Sequence, residues 1–248
     1  MDKVLLVTGG GRGIGAATAR QAAQAGWAVA VNYAANALAA DEVVRAIRAA
    51  GGRALAVQGD VADEAQVLRM FETLDAKLGR LQGLVNNAGV VDVTARLDEM
   101  SVARWRRMFD INVIGSMLCA REAVRRMSTR HGGSGGAIVN LSSAASRLGS
   151  PGQYVDYAAA KGAIDAFTIG LAKEVAFEGI RVNAVRPGLI ETEIHASGGL
   201  PDRVRDLSHQ VPMQRGGTAD EVAQAIVWLL SDAASYTTMS LLDVSGGR

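Results

Sequence analysis

The stretch Val4-Leu5-Leu6-Val7-Thr8-Gly9-Gly10-Gly11-Arg12-Gly13-Ile14-Gly15 decides the fold. A short apolar run leads directly into a glycine-rich turn, and a helical pattern follows. Glycines permit a tight turn and close backbone approach. A helix opening there offers its N-terminal N–H groups to a pyrophosphate. The spacing is Thr8-Gly9-x-x-x-Gly13-x-Gly15 rather than G-x-G-x-x-G, but the physical logic is shared. Such a turn alone could be only a strand-to-helix connection. Its position after a first strand and before a helix is the context that gives it meaning.

Working outward, apolar runs rich in Val, Ile and Leu recur at 28–31, 54–57, 84–86, 137–141, 182–185 and 241–244. With 4–7, each reads as a strand buried on both faces, the mark of a parallel sheet covered by helices. Ala-rich amphipathic stretches lie between them. Val222, Ala223, Ile226, Leu229 and Leu230 share one helical face, as do Ile164, Phe167, Leu171 and Val175. The alternation predicts one α/β domain over 1–248: a doubly wound, Rossmann-like parallel sheet of about seven strands with helices on both faces. Residues 131–136 are a Gly-rich connecting loop. Residues 192–217 lack periodicity and carry Gly198, Gly199, Pro201 and Pro212. That segment reads as a substrate lid with a short helix near 203–207, the alternative being a plain surface excursion.

Composition excludes several function classes. The chain has 248 residues, 26 basic against 25 acidic, and a net charge of +1. That balance offers no footprint for nucleic acid or an anionic membrane. Aromatic residues make up 4%, too few for a base-stacking platform. The single cysteine, Cys119, can form no intrachain disulfide or zinc cluster and reads as a buried thiol. The N-terminal apolar run is too short for a signal peptide, and no stretch is long enough to span a bilayer. A cytoplasmic setting is the expectation.

Tyr157 and Lys161 stand four residues apart, on one face of a predicted helix. A phenol with a pKa near 10 is a poor base at neutral pH, and a nearby ammonium favours the phenolate. Bringing that pKa to about 7 requires roughly 4 kcal/mol, which a desolvated lysine could largely supply. Such a pair can exchange a proton at pH 7. At the end of the second strand stand Asn32 and Tyr33. An acid there would bind a ribose 2′-hydroxyl and repel a 2′-phosphate, and there is none. Arg12, inside the glycine turn, could meet a phosphate. Both features favour NADP(H), with NAD(H) the alternative.

Together these residues resemble the short-chain dehydrogenase/reductase family in its compact single-domain branch, over essentially the whole chain. The resemblance rests on Thr8-Gly9-x-x-x-Gly13-x-Gly15, Asp60-Val61, Asn86-Asn87-Ala88-Gly89, Asn112, Ser142-Ser143, Tyr157-x-x-x-Lys161, Arg186-Pro187-Gly188 and the 242–247 segment. It implies that Asp60 meets the adenine amino group with Val61 beside it. Asn87, Ala88 and Gly89 line the cofactor, while Pro187, Gly188, Ile190 and Thr192 border the nicotinamide and phosphates. Gly9, Arg12, Gly13, Ile14 and Gly15 cradle the pyrophosphate side. Tyr157 acts as general acid/base, Lys161 lowers its pKa and holds the ribose, and Asn112 holds a water linking Lys161 to solvent. Outside this context Asn112 and Asn86-Asn87 would read as local caps, and Asp60 as a helix N-cap.

The substrate-orienting serine departs from the family count. Thirteen residues before Tyr157 lies Ala144, so the 147–156 loop holds one extra residue. Counting from the preceding strand assigns the role to Ser143, with Ser142 next and Ser146 third. A second departure is Met239, where relatives commonly have Gly after Thr238. Tyr154 has no lysine four residues on. His131, His195 and His209 are scattered in loops without metal-ligand spacing, so no metal is expected. The resulting expectation is an NADP(H)-dependent oxidoreductase acting on a small carbonyl or alcohol substrate, as a homotetramer. A non-redox use of the scaffold and a cofactor-binding regulator are the alternatives.

Overall fold

The computed structural model describes residues 3–248, apart from the side chains of His195 and Ser197, which lie outside the described residues. The apolar runs become the strands β1 (Lys3–Val7), β2 (Trp27–Tyr33), β3 (Ala54–Gln58), β4 (Leu81–Asn86), β5 (Gly136–Leu141), β6 (Ile180–Pro187) and β7 (Leu241–Val244). Between them lie α1 (Gly13–Gln24), α2 (Ala37–Ala49), α3 (Glu64–Lys77), α4 (Val102–Phe109), α5 (Gly115–Met127), α6 (Ala145–Leu148), α7 (Val155–Val175), α8 (Ile194–Ser197), α9 (Arg203–Leu207) and α10 (Ala219–Leu230). The strands form one parallel sheet in the order β3-β2-β1-β4-β5-β6-β7. The winding direction therefore reverses between β1 and β4. The crevice beyond the carboxyl ends of strands at such a point is where open α/β sheets bind ligands.

Strand alternation divides the core into two layers. Leu5, Val7, Val29, Val31 and Val139 face α1, α2 and α10. Val4, Leu6, Ala28, Ala30 and Ile138 face α3, α5 and the end of α7. Each face buries apolar side chains, so every inner strand reads as continuously hydrophobic. Several strands extend past their apolar runs. β4 begins at Leu81, ahead of Gln82 and Gly83, which are weak in the apolar pattern: Leu81 and Gly83 pair with Val4 and Leu5 of β1, the register shifting past Gln82 between them.

Polar groups within the layers set registers. Asn86 Nδ2 donates to Asn140 Oδ1 at 2.9 Å, and Asn140 Nδ2 to Thr168 Oγ1 at 2.9 Å. Asn86 Nδ2 also reaches the Ser116 carbonyl at 3.1 Å. This chain of amides ties β4 and β5 to α5 and α7. The N-cap of α3, the alternative reading for Asp60, is Asp63, whose carboxylate accepts from Gln66 N, and α3 starts at Glu64. Asp60 is thereby released to a turn, where its Oδ1 accepts from Ala62 N at 3.0 Å.

Met239 adopts φ 65°, the left-handed region that disfavours residues with a Cβ, and its N–H donates to the Val182 carbonyl at 2.7 Å. A glycine fits that backbone without strain. Met239→Gly should raise the unfolding free energy by up to about 1 kcal/mol, the relief being offset in part by glycine's extra unfolded-state entropy. Urea denaturation of the two proteins checks this; a clear loss of stability would contradict it.

Candidate active site

The glycine turn is fastened to the end of β4 before it meets any ligand. Asn87 Nδ2 donates to the carbonyls of Thr8 at 2.8 Å and Gly9 at 3.0 Å. Thr8 Oγ1 in turn accepts from the backbone N–H groups of Asn87 and Ala88 at 2.9 and 3.0 Å. A Cβ on Gly15 would stand 2.5 Å from Asn87 Nδ2 and 2.6 Å from the Gly9 carbonyl. Only glycine lets α1 start this close to the turn. Arg12 caps α1 in extended backbone without a side-chain capping bond, and the first turn holds no acid. The first N–H groups of α1 therefore remain open to an anion, and the residues fit a pyrophosphate.

Around this turn lies a cleft with two lobes, of about 460 and 320 Å³. Ile14, Asn87, Gly89, Thr192 and Ile194 line both. The smaller lobe takes in Gly9, Arg12, Gly13, Asn32, Asp60, Val61 and Ala88. The larger takes in Ser143, Tyr157, Lys161, Pro187, Gly188 and Ile190. Nearly all the expected site residues converge here. Gly15, Tyr33 and Asn112 do not line the cleft: Gly15 is packed under the turn, Tyr33 packs against the sheet core, and Asn112 is buried behind Gly89. Asn32 does line it, yet its side chain is spent internally. Its Oδ1 accepts from Gly9 N at 3.1 Å and its Nδ2 donates to the Gly59 carbonyl at 2.9 Å.

The two serines separate by their partners. Ser142 is buried, and its hydroxyl donates to the Lys161 carbonyl at 3.1 Å. Ser143 is half-buried and faces Tyr157. The 147–156 loop makes a tight turn in which Gly149, Ser150 and Gly152 all have positive φ. Ahead of Tyr157, Asp156 receives Arg104 Nε at 2.7 Å, and the same guanidinium donates to the Val93 carbonyl at 2.6 Å. This buried pair fixes the start of α7 against α4 and the 88–96 loop.

Asn112 lies in a π-helical turn, Asp110–Ile114, between α4 and α5. It is fully buried. Its amide donates to the carbonyls of Val90 at 3.1 Å and Met108 at 3.0 Å, and its Oδ1 accepts from Val90 N at 3.2 Å. A Cβ on Gly89 would lie 2.7 Å from Asn112 Oδ1 and 3.6 Å from Lys161 Nζ, so both groups reach the same small space.

Helical spacing places Tyr157 and Lys161 together as expected, but the electrostatics differ from the sequence expectation. Lys161 Nζ donates to the Leu141 carbonyl at 2.7 Å and lies 5.5 Å from the Tyr157 ring centre. Burial pushes the Tyr157 phenol up to about 12, against a smaller opposing effect of the Ser143 hydroxyl. Burial brings Lys161 down to about 8, with Asp165 opposing. Burial therefore favours the protonated phenol, and the Lys161 ammonium is itself desolvated and turned to the Leu141 carbonyl. Asp165 is held by Arg186 through Oδ2, at 2.8 and 3.1 Å.

The cavity walls also contain residues that no motif pointed to: Leu148, Gln153, Tyr154, Arg203 and Arg248. Tyr154 sits one turn before Tyr157 and could have been found by helical spacing. Arg203 and Arg248 come from remote segments and carry no local signal. His131 and His209 stay outside both lobes. Among the described residues no group of His, Cys, Asp and Glu could hold a metal ion.

A family model described as enoyl-(acyl carrier protein) reductase matches residues 9–248. The uncharacterized oxidoreductase YgfF of Escherichia coli is 58% identical over 245 residues, covering 99% of each chain. The cis-4-hydroxycyclohexanecarboxylate dehydrogenase of Sinomonas cyclohexanicum is 44% identical, over 99% of this chain and 96% of that one. A crystal structure of a short-chain type dehydrogenase/reductase from Mycobacterium marinum superposes with a TM-score of 0.92 at 35% identity, over 99% and 94% of the two chains.

Lys161 titrates near 8 in the folded protein against an ordinary 10.5, so between these values the unfolded chain binds more protons. Stability therefore rises with pH across that window, the increment being absent below about 8. Between pH 8 and 10 the gain from this group should be about 1 to 2 kcal/mol. Denaturant titrations at the two pH values should show it in the native protein, and Lys161→Met should abolish the increment.

Proposed function

The chain belongs to the short-chain dehydrogenase/reductase family, and from that membership we propose an NADP(H)-dependent oxidoreductase that interconverts a carbonyl and an alcohol, with Tyr157 as proton donor and acceptor. The observation that carries this reading is the convergence of Ser143, Tyr157 and Lys161 in one cavity beside the open N-terminus of α1. Nicotinamide, when bound, supplies or accepts the hydride. The chain's own residues position the substrate and move the proton. Ser143 hydrogen-bonds the substrate oxygen and holds it against the phenol. Tyr157, whose protonated form burial favours, is suited to donate to a developing alkoxide and takes the proton back in the reverse reaction. Lys161 holds the ribose and keeps a positive charge beside the phenol when Tyr157 gives up its proton. Asn112 supports a water at the small space it shares with Lys161.

Several supports bear on the cofactor. Arg12 is exposed at the smaller lobe, and among the described residues its side chain has no hydrogen-bond or ion-pair partner. No carboxylate stands at the end of β2, where Tyr33 and Ala34 follow Asn32. A 2′-phosphate would meet a guanidinium and no repelling charge. Residues 192–217 form the proposed substrate lid. The ends of that segment are joined by the Ile190–Gly217 bridge, with Glu191 N donating to the Gly217 carbonyl at 2.9 Å, so the segment can move as one excursion. The proposed assembly is a homotetramer, supported by the exposed apolar side chains Phe109, Ile114 and Met117 along α4 and α5. The proposed location is cytoplasmic, consistent with a single buried free thiol at Cys119.

Initial rates with NADPH on a panel of ketones and oxo acids test the reaction. Tyr157→Phe should cost at least about a thousandfold in kcat while NADPH binding stays within severalfold. Ser143→Ala should cost about a hundredfold, and Ser142→Ala far less. Retention of most activity in Tyr157→Phe would remove it from the mechanism. Arg12→Ala should lower kcat/KM with NADPH about tenfold to thirtyfold and leave the NADH value nearly unchanged; an equal effect on both would refute the 2′-phosphate role.

A further inference from the structure

The charged side chains that line the larger lobe are all basic. Its charged lining residues are Lys161, Arg203 and Arg248, and no Asp or Glu lines it. The lobe otherwise presents apolar and neutral polar groups, among them Val91, Leu148, Pro151 and Ile194. Lys161 lies at the catalytic end, and the two arginines belong to the lid and the C-terminal segment.

Arg203 differs from the arginines around it. Arg205, on the same short helix, takes both nearby acids, Asp202 at 2.9 Å and Asp206 at 3.2 Å. Arg147, on α6, takes Asp243 at 3.2 Å. Arg203 is half-buried and, among the described residues, pairs with no carboxylate. Its guanidinium lies over the Tyr154 ring, 5.3 Å from the centroid. Burial lowers its pKa, the phenol of Tyr154 opposes this, and the positive charge of Arg248 adds to the lowering. The main-chain oxygen of Arg248 is held by Arg147 Nη2 at 3.2 Å and Ser245 Oγ at 2.8 Å, which leaves its side chain at the cavity wall.

A guanidinium removed from water beside a second one is costly without a counter-charge. The Tyr154 ring offsets part of that cost and fixes the plane of the fork, which suits paired hydrogen bonds to an oxyanion. We infer that the substrate of this enzyme carries an oxyanion, a carboxylate or a phosphate monoester, bound by Arg203 and Arg248 where they line the same cavity as Tyr157. The apolar lining residues accommodate the body of the molecule. The ligand is thus an amphiphilic oxo or hydroxy compound, with its reacting oxygen at Ser143 and Tyr157 and its anion at the arginines. This inference rests on the proposed oxidoreductase reading and adds the substrate class to it.

Matched substrates test it. Initial rates with NADPH would be measured on 4-oxocyclohexanecarboxylate against its methyl ester, and on dihydroxyacetone phosphate against dihydroxyacetone. The charged member of at least one pair should be favoured by about tenfold or more in kcat/KM, and the pair that responds separates carboxylate from phosphate. Arg203→Gln should shrink that ratio about tenfold, Arg203→Lys should retain part of it, and Arg248→Gln should act in the same direction. Equal rates within both pairs, or an equal fall for charged and neutral members in Arg203→Gln, overturn the inference. Calorimetry with cyclohexanecarboxylate and with inorganic phosphate on the native protein gives a readout independent of turnover. Binding that weakens in Arg203→Gln, with no turnover of any ketone, would sink the oxidoreductase reading and keep the anion site. Absence of binding by both ions overturns the site whether or not ketones are reduced.

Discussion

Burying the Lys161 ammonium is the constraint around which the rest of the molecule is arranged. Lysine is costly to take out of water, and here it is 4% exposed. Three features keep it in place. The Leu141 carbonyl at the end of β5 accepts a hydrogen bond from it, Asp165 one turn along α7 supplies a counter-charge, and Arg186 from β6 holds Asp165. Each comes from a different element, so α7 must sit at one depth and one rotation against the sheet. Buried Ala158 and Ala160 let it approach closely, and the Asn140–Thr168 bond fixes its position. One Asp165 oxygen stays buried without a partner among the described residues, a residual strain that this arrangement tolerates.

The same arrangement divides charge across the cleft. The end near the glycine turn is neutral backbone, organised by Thr8, Asn32 and Asn87, whose side chains are used up in holding loops together. Helix α1 contributes its first N–H groups there, and Arg12 a guanidinium without a partner among the described residues. Around Tyr157 and Lys161 burial raises the pKa of the phenol and lowers that of the ammonium. Arg203 and Arg248 line the same lobe. Polar side chains that build the site are thus distinct from those that face a ligand. The buried asparagines belong mostly to the first group.

How much could be read in advance depended on how local each signal was. The strands were legible because burial on both faces forces unbroken runs of Val, Ile and Leu, although glycine and glutamine concealed the start of β4. The glycine turn was legible because tight backbone approach leaves a spacing of glycines, and the Tyr157–Lys161 pair because one helical turn relates them. Asn32 and Tyr33 were read as ligand contacts because they follow the second strand, yet Asn32 turns inward and Tyr33 packs against the core. Asp60 and Asp63 are three residues apart, both fit to cap a helix, and only the path of the chain chose Asp63.

By itself the sequence determined a doubly wound parallel sheet, the glycine turn at its first crossover and a tyrosine–lysine helix face, because periodicity and turn chemistry are properties of neighbouring residues. The tertiary structure alone decided three further matters. Ser143 rather than Ser142 faces the phenol, because the strand end buries one hydroxyl against the Lys161 carbonyl and exposes the next. The Tyr157 phenol is pushed up to about 12, because desolvation depends on everything packed around it. Arg203 and Arg248, 45 positions apart in the chain, meet at one cavity wall. Such facts depend on distances between remote segments, and those are set by the packing of the whole sheet and its helices rather than by any local run of residues.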